Sequence, residues 1–352
     1  MRTTVLYFHT GSSSFVDKDI EILQRIGTVV PFSFTSKSKA ETPLLLFLQL
    51  GFLLRHLFSS RLFVAQFAGY HTFLPAVISR LTGKRLLIIS GGTDCHSFPG
   101  IGYGNFQKQV LRIFTGWSFR LCNHIAPKHE SLWFSEYTYD NSEPSHQGIK
   151  AFLPKLSTPH TSIPNGYDPD KWKPVPSVLR QPRSFLTVSG GFHFPFQQAL
   201  KGIDLVLQIA RRFPDCTFTV IGVDDPSVFK NPPPNVLLLP KADDAVLLKA
   251  YCSHTFYLQL SMAEGFPNAL CESMLCGCVP IGSAVFSIPE IIGENGYLLR
   301  HRDMDELEKL LRQAMNEDES KKGDKARNSI LERFPLSKRK TALIALCRRL
   351  VP

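Results

Sequence analysis

A chain of 352 residues exceeds one ordinary core and fits two domains of about 170 residues each, and 43% hydrophobic with 20% charged residues excludes a disordered or collagenous protein. The net charge of +10 points to an anionic partner, whether nucleic acid, membrane surface or phosphorylated substrate. It is uneven: residues 1 to 175 hold 18 Lys and Arg against 11 Asp and Glu, and the remainder holds 22 against 19.

The opening "MRTTVLYFHTG" has no basic lead or long apolar core, so it predicts a first β-strand and not a signal peptide, and a cytosolic protein. A helix from 15 to about 26 follows, then "GTVVPFSF", a helix from 43 to about 58, "RLFVAQFAG", a helix after His71 and "KRLLIISGG". Short apolar runs alternating with amphipathic segments predict a parallel sheet with crossover helices, a Rossmann-like lobe. The stretch "PLLLFLQLGFLL" (43 to 54) is the most apolar in the chain and too short to cross a bilayer. It reads either as a buried crossover helix or as a helix lying on an anionic leaflet, with Arg55, His56 and Arg61 beside it. Around 161 to 182, Pro, Asn, Gly and charge interrupt every period, as an interdomain linker does. A second α/β series then runs "SFLTVSGG", a helix over 201 to 213, "CTFTVIGV", "NVLLLP", a helix over 243 to 253, "TFYLQLS", a helix over 267 to 276 and "CVPIGS", with two helical stretches after 303. The predicted boundaries are 1–166, a linker at 167–183, 184–335, and a closing helix at 336–352 that packs back on the first domain.

Two such lobes bind ligands at the carboxyl ends of their strands. "TFYLQLS" reads as a strand ending near Ser261, which puts Glu264 and Gly265 in a strand-to-helix loop and Pro267 at the first helical position, where a missing N–H costs nothing. The start of that helix offers free N–H groups and a positive dipole end, a site for a phosphate or diphosphate. Glu272, about 1.5 turns inside, is placed to meet hydroxyls of an attached ribose, and Glu264 those of a sugar on the other side. Eight cysteines lie in apolar segments without zinc spacing and read as reduced core thiols.

"EGFPNALCE" resembles the Glu-x7-Glu signature of the retaining GT-B glycosyltransferases, notably glycosyltransferase family 4 (group 1), of the bacterial envelope-polysaccharide type. "SIPNGYDPDKW" with Asn165, "KGIDLVLQIA" and "SIPEIIGENGYLL" match further motifs of that family in order, so the resemblance spans nearly the whole chain. It implies a GT-B fold, α/β with two Rossmann-like domains facing across a cleft: the first binds the acceptor, the second the nucleotide sugar. It also implies sugar transfer from a nucleotide-diphosphate sugar to a hydroxyl of a glycan or lipid-linked acceptor, with retention and no metal. Nucleic-acid binding has only the charge behind it, with no interleaved aromatic and basic motif, and a place at the inner face of the membrane rests on the apolar 43–54 run and the basic first half. Glu264 would contact the donor sugar, Glu272 the ribose, and Lys201 the diphosphate as the bond breaks. Gly265, Phe266, Pro267 and Asn268 would border the sugar and diphosphate.

The sequence departs from the family in two places. No arginine precedes Lys201 in "SGGFHFPFQQALKG", which leaves His193 or the N–H groups of Gly190 and Gly191 as substitutes. The family's histidine after the fourth strand is replaced by "SGGTD", where Asp94 either binds a donor hydroxyl, orients the acceptor, or caps a helix. His71 occupies a strand end where the family often has a histidine, or is structural. Gly11 and Ser12 in "HTGSSSF" either touch the diphosphate and acceptor or turn the chain, with the serines free to cap the first helix. Two rival functions remain at this level: a catalytically inactive partner subunit, and a sugar-nucleotide epimerase or hydrolase.

Overall fold

In a computed structural model of the chain, residues 3–36, 38–191 and 196–351 are described; His193 lies outside them. The chain divides into two compact units, the first formed by Met1–Glu136, His146–Asn165 and Ser337–Pro352, the second by Tyr137–Ser145 and Gly166–Leu336.

The first unit runs β1 (Thr3–His9), α1 (Ser14–Leu23), β2 (Gly27–Ser33), α2 (Thr42–His56), β3 (Ser60–Gln66), α3 (Tyr70–Thr82), β4 (Arg85–Ser90), α4 (Gln109–Leu121), β5 (His124–Pro127), β6 (Ser135–Glu136), β7 (His146–Gln147) and α5 (Ile149–Phe152). Strands β2-β1-β3-β4-β5 form one parallel sheet in that order, and β6 pairs antiparallel with β7. Alternate residues of the central strands point to opposite faces and both faces are covered, so the strands read as continuous apolar runs. Leu6, Phe8, Phe63 and Ile88 pack beneath Leu53, Ala76 and Phe119 of α2, α3 and α4. On the other face Val5, Tyr7, Val64 and Leu87 meet Val16 and Ile22 of α1 and, from the end of the chain, Leu343 and Leu346.

The second unit runs β8 (Gln181–Val188), α6 (Phe196–Leu200), α7 (Ile203–Arg212), β9 (Thr217–Ile221), β10 (Val236–Leu239), α8 (Asp244–Ser253), β11 (His254–Gln259), α9 (Asn268–Leu275), β12 (Val279–Ser283), α10 (Ile288–Ile292), β13 (Tyr297–Leu299), α11 (Met304–Met315) and α12 (Glu319–Arg333). Its parallel sheet has the order β10-β9-β8-β11-β12-β13. Caps fix several helices: Asp243 accepts from the N–H of Val246 at 2.9 Å at the start of α8, and Asp303 takes two N–H groups at the start of α11. Helix α7 buries Ile203, Val206 and Ile209 on one stripe and carries Arg211 and Arg212 in its last turn, where the helix dipole favours cations.

The last helix, α13 (Leu336–Leu350), belongs to the first unit from Ser337 onward. Buried Arg339 anchors it, donating to Asp19 Oδ1 at 2.6 Å and Oδ2 at 2.8 Å from Nη2 and to the carbonyls of Ile163 and Pro164 from Nη1.

Several elements differ from the sequence expectation. Helix α9 starts at Asn268, with Pro267 outside it as N-cap at ψ 109°, so Pro267 is not the first helical residue. Strand β11 stops at Gln259, two residues before the expected end. Ser13, the N-cap of α1, makes no capping hydrogen bond. Residues 137–145, expected in the first domain, join the second unit: Tyr139 O accepts from Arg302 N at 2.8 Å, and the Tyr137 ring meets Phe286 at 5.9 Å. The predicted linker is largely folded into that unit too, with Tyr167 and Trp172 each 2% exposed and β8 beginning at Gln181.

Candidate functional site

In the second unit, the residues singled out around 201 and 264 come together at the end of β11. Gly202 adopts φ +67°, and a Cβ there would lie 2.1 Å from the carbonyl oxygen of Leu260. Only glycine permits both the left-handed backbone and that approach. Met262 N donates to Leu200 O at 2.9 Å, so the turn between α6 and α7 is fastened to the loop after β11. Lys201 is thereby carried to Glu264: Nζ lies 2.6 Å from Oε1, with the side chains 27% and 12% exposed. The same oxygen accepts from Ser261 Oγ at 2.9 Å and Gln259 Nε2 at 3.1 Å. All three contacts fall on Oε1, which anchors that oxygen and leaves Oε2 outside the set.

Ser261, read from the sequence only as the end of a strand, and Gln259, not singled out there, complete this arrangement. Their signal was present: a glutamine and a serine close an otherwise apolar strand in "TFYLQLS", and buried polar side chains require partners.

In the loop before α9, Gly265 is buried and the Phe266 ring packs edge-on against Phe334 at 5.1 Å. Asn268 Oδ1 accepts from the Tyr167 hydroxyl at 3.0 Å, joining "NGYD" to "GFPN". Glu272 is 9% exposed, and its Oε2 lies 3.3 Å from the hydroxyl of Tyr251 on α8. Burial first, and then the Glu272 charge, push the Tyr251 phenol well above its ordinary range, so it stays a donor. No side chain caps the start of α9, where Cys271 N donates to Pro267 O at 3.4 Å, and the positive end of the helix dipole there favours an anion. Gly190 is exposed after β8 with nothing near its missing Cβ, and Gly191 takes φ +122°.

The remaining candidates lie in the first unit, beyond the strand ends. Asp94 and His71 line one cavity of about 420 Å³ with Thr10, Phe34, Phe67 and Asn105. Asp94 is fully buried and accepts from the N–H groups of Ala68, Gly91 and Gly92 at 3.0, 3.1 and 3.2 Å, so it ties the loop after β4 to the loop after β3 instead of capping a helix. Burial raises its carboxyl pKa against those hydrogen bonds. His71 Nε2 donates to Gln66 O at 2.8 Å, which places the proton on that nitrogen, and burial lowers its pKa to about 4, leaving the ring neutral. Phe67 stands at φ +67°, a strained setting for a bulky residue, against a glycine whose Cβ would meet its ring at 2.0 Å. Gly11 and Ser12 follow β1, with the Ser12 hydroxyl donating to Asp17 at 3.2 Å, and Asn165 is buried where the first unit ends. Lys128 was also missed: Nζ sits 3.9 Å over the Phe15 ring, and burial pulls the amine down to about 7. The eight cysteines are buried and unpaired, and no group of three or more metal-ligating side chains gathers among the described residues.

Residues 188–317 match the family described as "Glycosyl transferases group 1". With two parallel-sheet units, the chain has the GT-B fold. It is similar to sucrose-phosphate synthase from Thermosynechococcus elongatus, at 14% identity and a TM-score of 0.75 over 99% of both chains. It is also similar to Anabaena HepE in complex with UDP and glucose, at 13% identity and 0.71 over 99% of this chain and 100% of that one. Staphylococcus aureus TarM, in complex with fondaparinux, α-GlcNAc-glycerol and UDP, aligns at 14% identity and 0.63 over 87% of this chain and 59% of its own. No curated protein sequence matches the chain.

Proposed function

We propose that the protein is a retaining hexosyltransferase of the glycosyltransferase family 4 type, moving a sugar from a nucleotide-diphosphate sugar to a hydroxyl of a glycan or lipid-linked acceptor. The setting is cytoplasmic synthesis of cell-envelope polysaccharide. The observation that carries this reading is the Lys201–Glu264 pair at 2.6 Å beside the uncapped start of α9.

A diphosphate seated on the first-turn N–H groups of α9 draws Lys201 away from Glu264, and the ammonium then neutralises charge developing on the leaving phosphate. Glu264, held through Oε1 by Ser261 and Gln259, keeps its geometry and presents Oε2 to a donor-sugar hydroxyl. Glu272 meets the ribose, with Tyr251 fixing one oxygen. Retention follows if the leaving phosphate accepts the acceptor's proton on the face where the new bond forms, which asks no covalent carboxylate and no metal of the protein. Asp94, His71, Gly11 and Ser12 belong to the acceptor side. The complexes of HepE with UDP-glucose and of TarM with UDP support a nucleotide-sugar donor.

The test is incubation with a panel of nucleotide-diphosphate sugars and envelope-glycan acceptors, following nucleotide release and product anomeric configuration by NMR. An α-donor giving an α-linked product supports retention; inversion, free sugar or an epimer as sole product refutes it.

A further inference from the structure

Helices α2, α3 and α4 cover one face of the first sheet as a single layer, α2 packed on α3 and α3 on α4. The outer surface of this layer is apolar. On α2 and just beyond it, Leu44 is 59% exposed, Phe47 73%, Leu48 51%, Leu54 54% and Phe58 95%. The first four recur at helical spacing, forming a stripe turned away from Leu53, which the core buries. On α4, Val110, Ile113 and Trp117 are each at least half exposed at spacings of three and four. Between the two stripes, half-buried Phe73 of α3 meets Phe114 of α4 edge-on at 4.9 Å. A surface of this extent and composition marks an interaction site.

Its charge selects the occupant. From residue 42 to residue 129 the chain has one acidic side chain, the fully buried Asp94, against nine Lys and Arg. Arg55, Arg80, Arg112 and Arg120, on these three helices, are all exposed. A second copy of the face would set arginine against arginine with no acid to pair, and a nucleic acid would leave Leu44, Leu48 and Ile113 in water. An anionic bilayer surface satisfies both features, taking apolar side chains at the acyl boundary and guanidinium groups among the headgroups. No helix among the described residues is long and apolar enough to cross a membrane, so the layer lies on the surface.

We propose that the α2–α3–α4 layer docks the protein on an anionic membrane leaflet, with Phe47, Phe58 and Trp117 inserted and the arginines around them. This goes beyond the sugar-transfer reading, and its readout needs neither donor nor turnover. The test uses the full chain with phosphatidylcholine vesicles, with and without 30 mol% phosphatidylglycerol as a probe composition chosen on the principle of surface-potential attraction.

The chain is expected to co-sediment with the anionic vesicles and to be released in part by high salt. The Phe47→Glu/Trp117→Glu variant, altered only at exposed positions, should keep the wild-type Tm and lose at least tenfold in partition coefficient. Brominated lipid should quench the tryptophan emission of the wild-type chain, and Trp117→Phe should remove that quenching while Trp133 and Trp172 remain. Failure to bind anionic vesicles, or absence of Trp117 quenching, overturns the proposal. So does a dimer in sedimentation equilibrium that Phe47→Glu dissociates, because the face would then be covered by a second copy.

Discussion

Lys201 and Glu264, 63 residues apart, meet at 2.6 Å because Gly202 lets the α6–α7 turn lie against the backbone of Leu260. The lysine and its following glycine therefore form one device: the glycine makes the approach and the lysine uses it. Replacing Lys201 with alanine is expected to lower kcat by roughly 100- to 1,000-fold, the usual effect of losing one group that stabilises transition-state charge, and to leave the fold intact. Steady-state kinetics beside a thermal melt check this; a variant with unchanged kcat would remove Lys201 from the mechanism.

Gly202→Ala should cost stability even though it adds only a methyl group. The left-handed backbone alone disfavours a Cβ by about 1–2 kcal/mol, and the 2.1 Å approach to Leu260 O forces backbone movement besides. Denaturant unfolding should show a loss above 2 kcal/mol, roughly the strain figure plus the clash, together with reduced activity as Lys201 shifts.

The two glutamates, the lysine and the strand-to-helix loop that joins their surroundings were legible because motif spacing and a turn signal agree there. Tyr251 and Tyr167 were not legible: they reach Glu272 and Asn268 across 21 and 101 residues, and a sequence pattern records no such pairing. Strands β5 (HIAP) and β13 (YLL) are too short for a period of two to show. The segment around 167–172 reads as linker from its Pro and charge, yet Trp172 and Tyr167 bury themselves, an outcome set by tertiary packing and not by local propensity. The apolar run in α2 left a buried and a surface reading open; the helix buries only Gln49 and Leu53 fully.

The Asp19–Arg339 pair, with side chains 1% and 4% exposed, ties the last helix to α1. Arg339→Met leaves a buried carboxylate without its cation, and a loss of about 3–5 kcal/mol is expected. The double variant Asp19→Leu/Arg339→Met should recover part of that loss, since no uncompensated charge remains. Equal losses in the single and double variants, measured by urea unfolding, would contradict this account.

Acid should weaken the fold through His71. Its folded pKa is about 4 against an ordinary 6.5, so the unfolded chain takes up a proton that the folded chain refuses. The contribution is intact above pH 6.5 and is lost progressively as pH falls toward 4, amounting to about 3 kcal/mol. Stability measured across that window should decline with a shallower slope in His71→Gln, although that variant starts lower at neutral pH for want of the bond to Gln66 O.

Calorimetric titration of the wild-type protein and of Lys201→Ala with a panel of UDP-, GDP- and ADP-sugars tests the central claim most directly. At least one donor should bind the wild-type chain, with its affinity weakened at least tenfold when the lysine is removed. Binding of none, or equal binding to both proteins, would contradict a diphosphate docked at the start of α9.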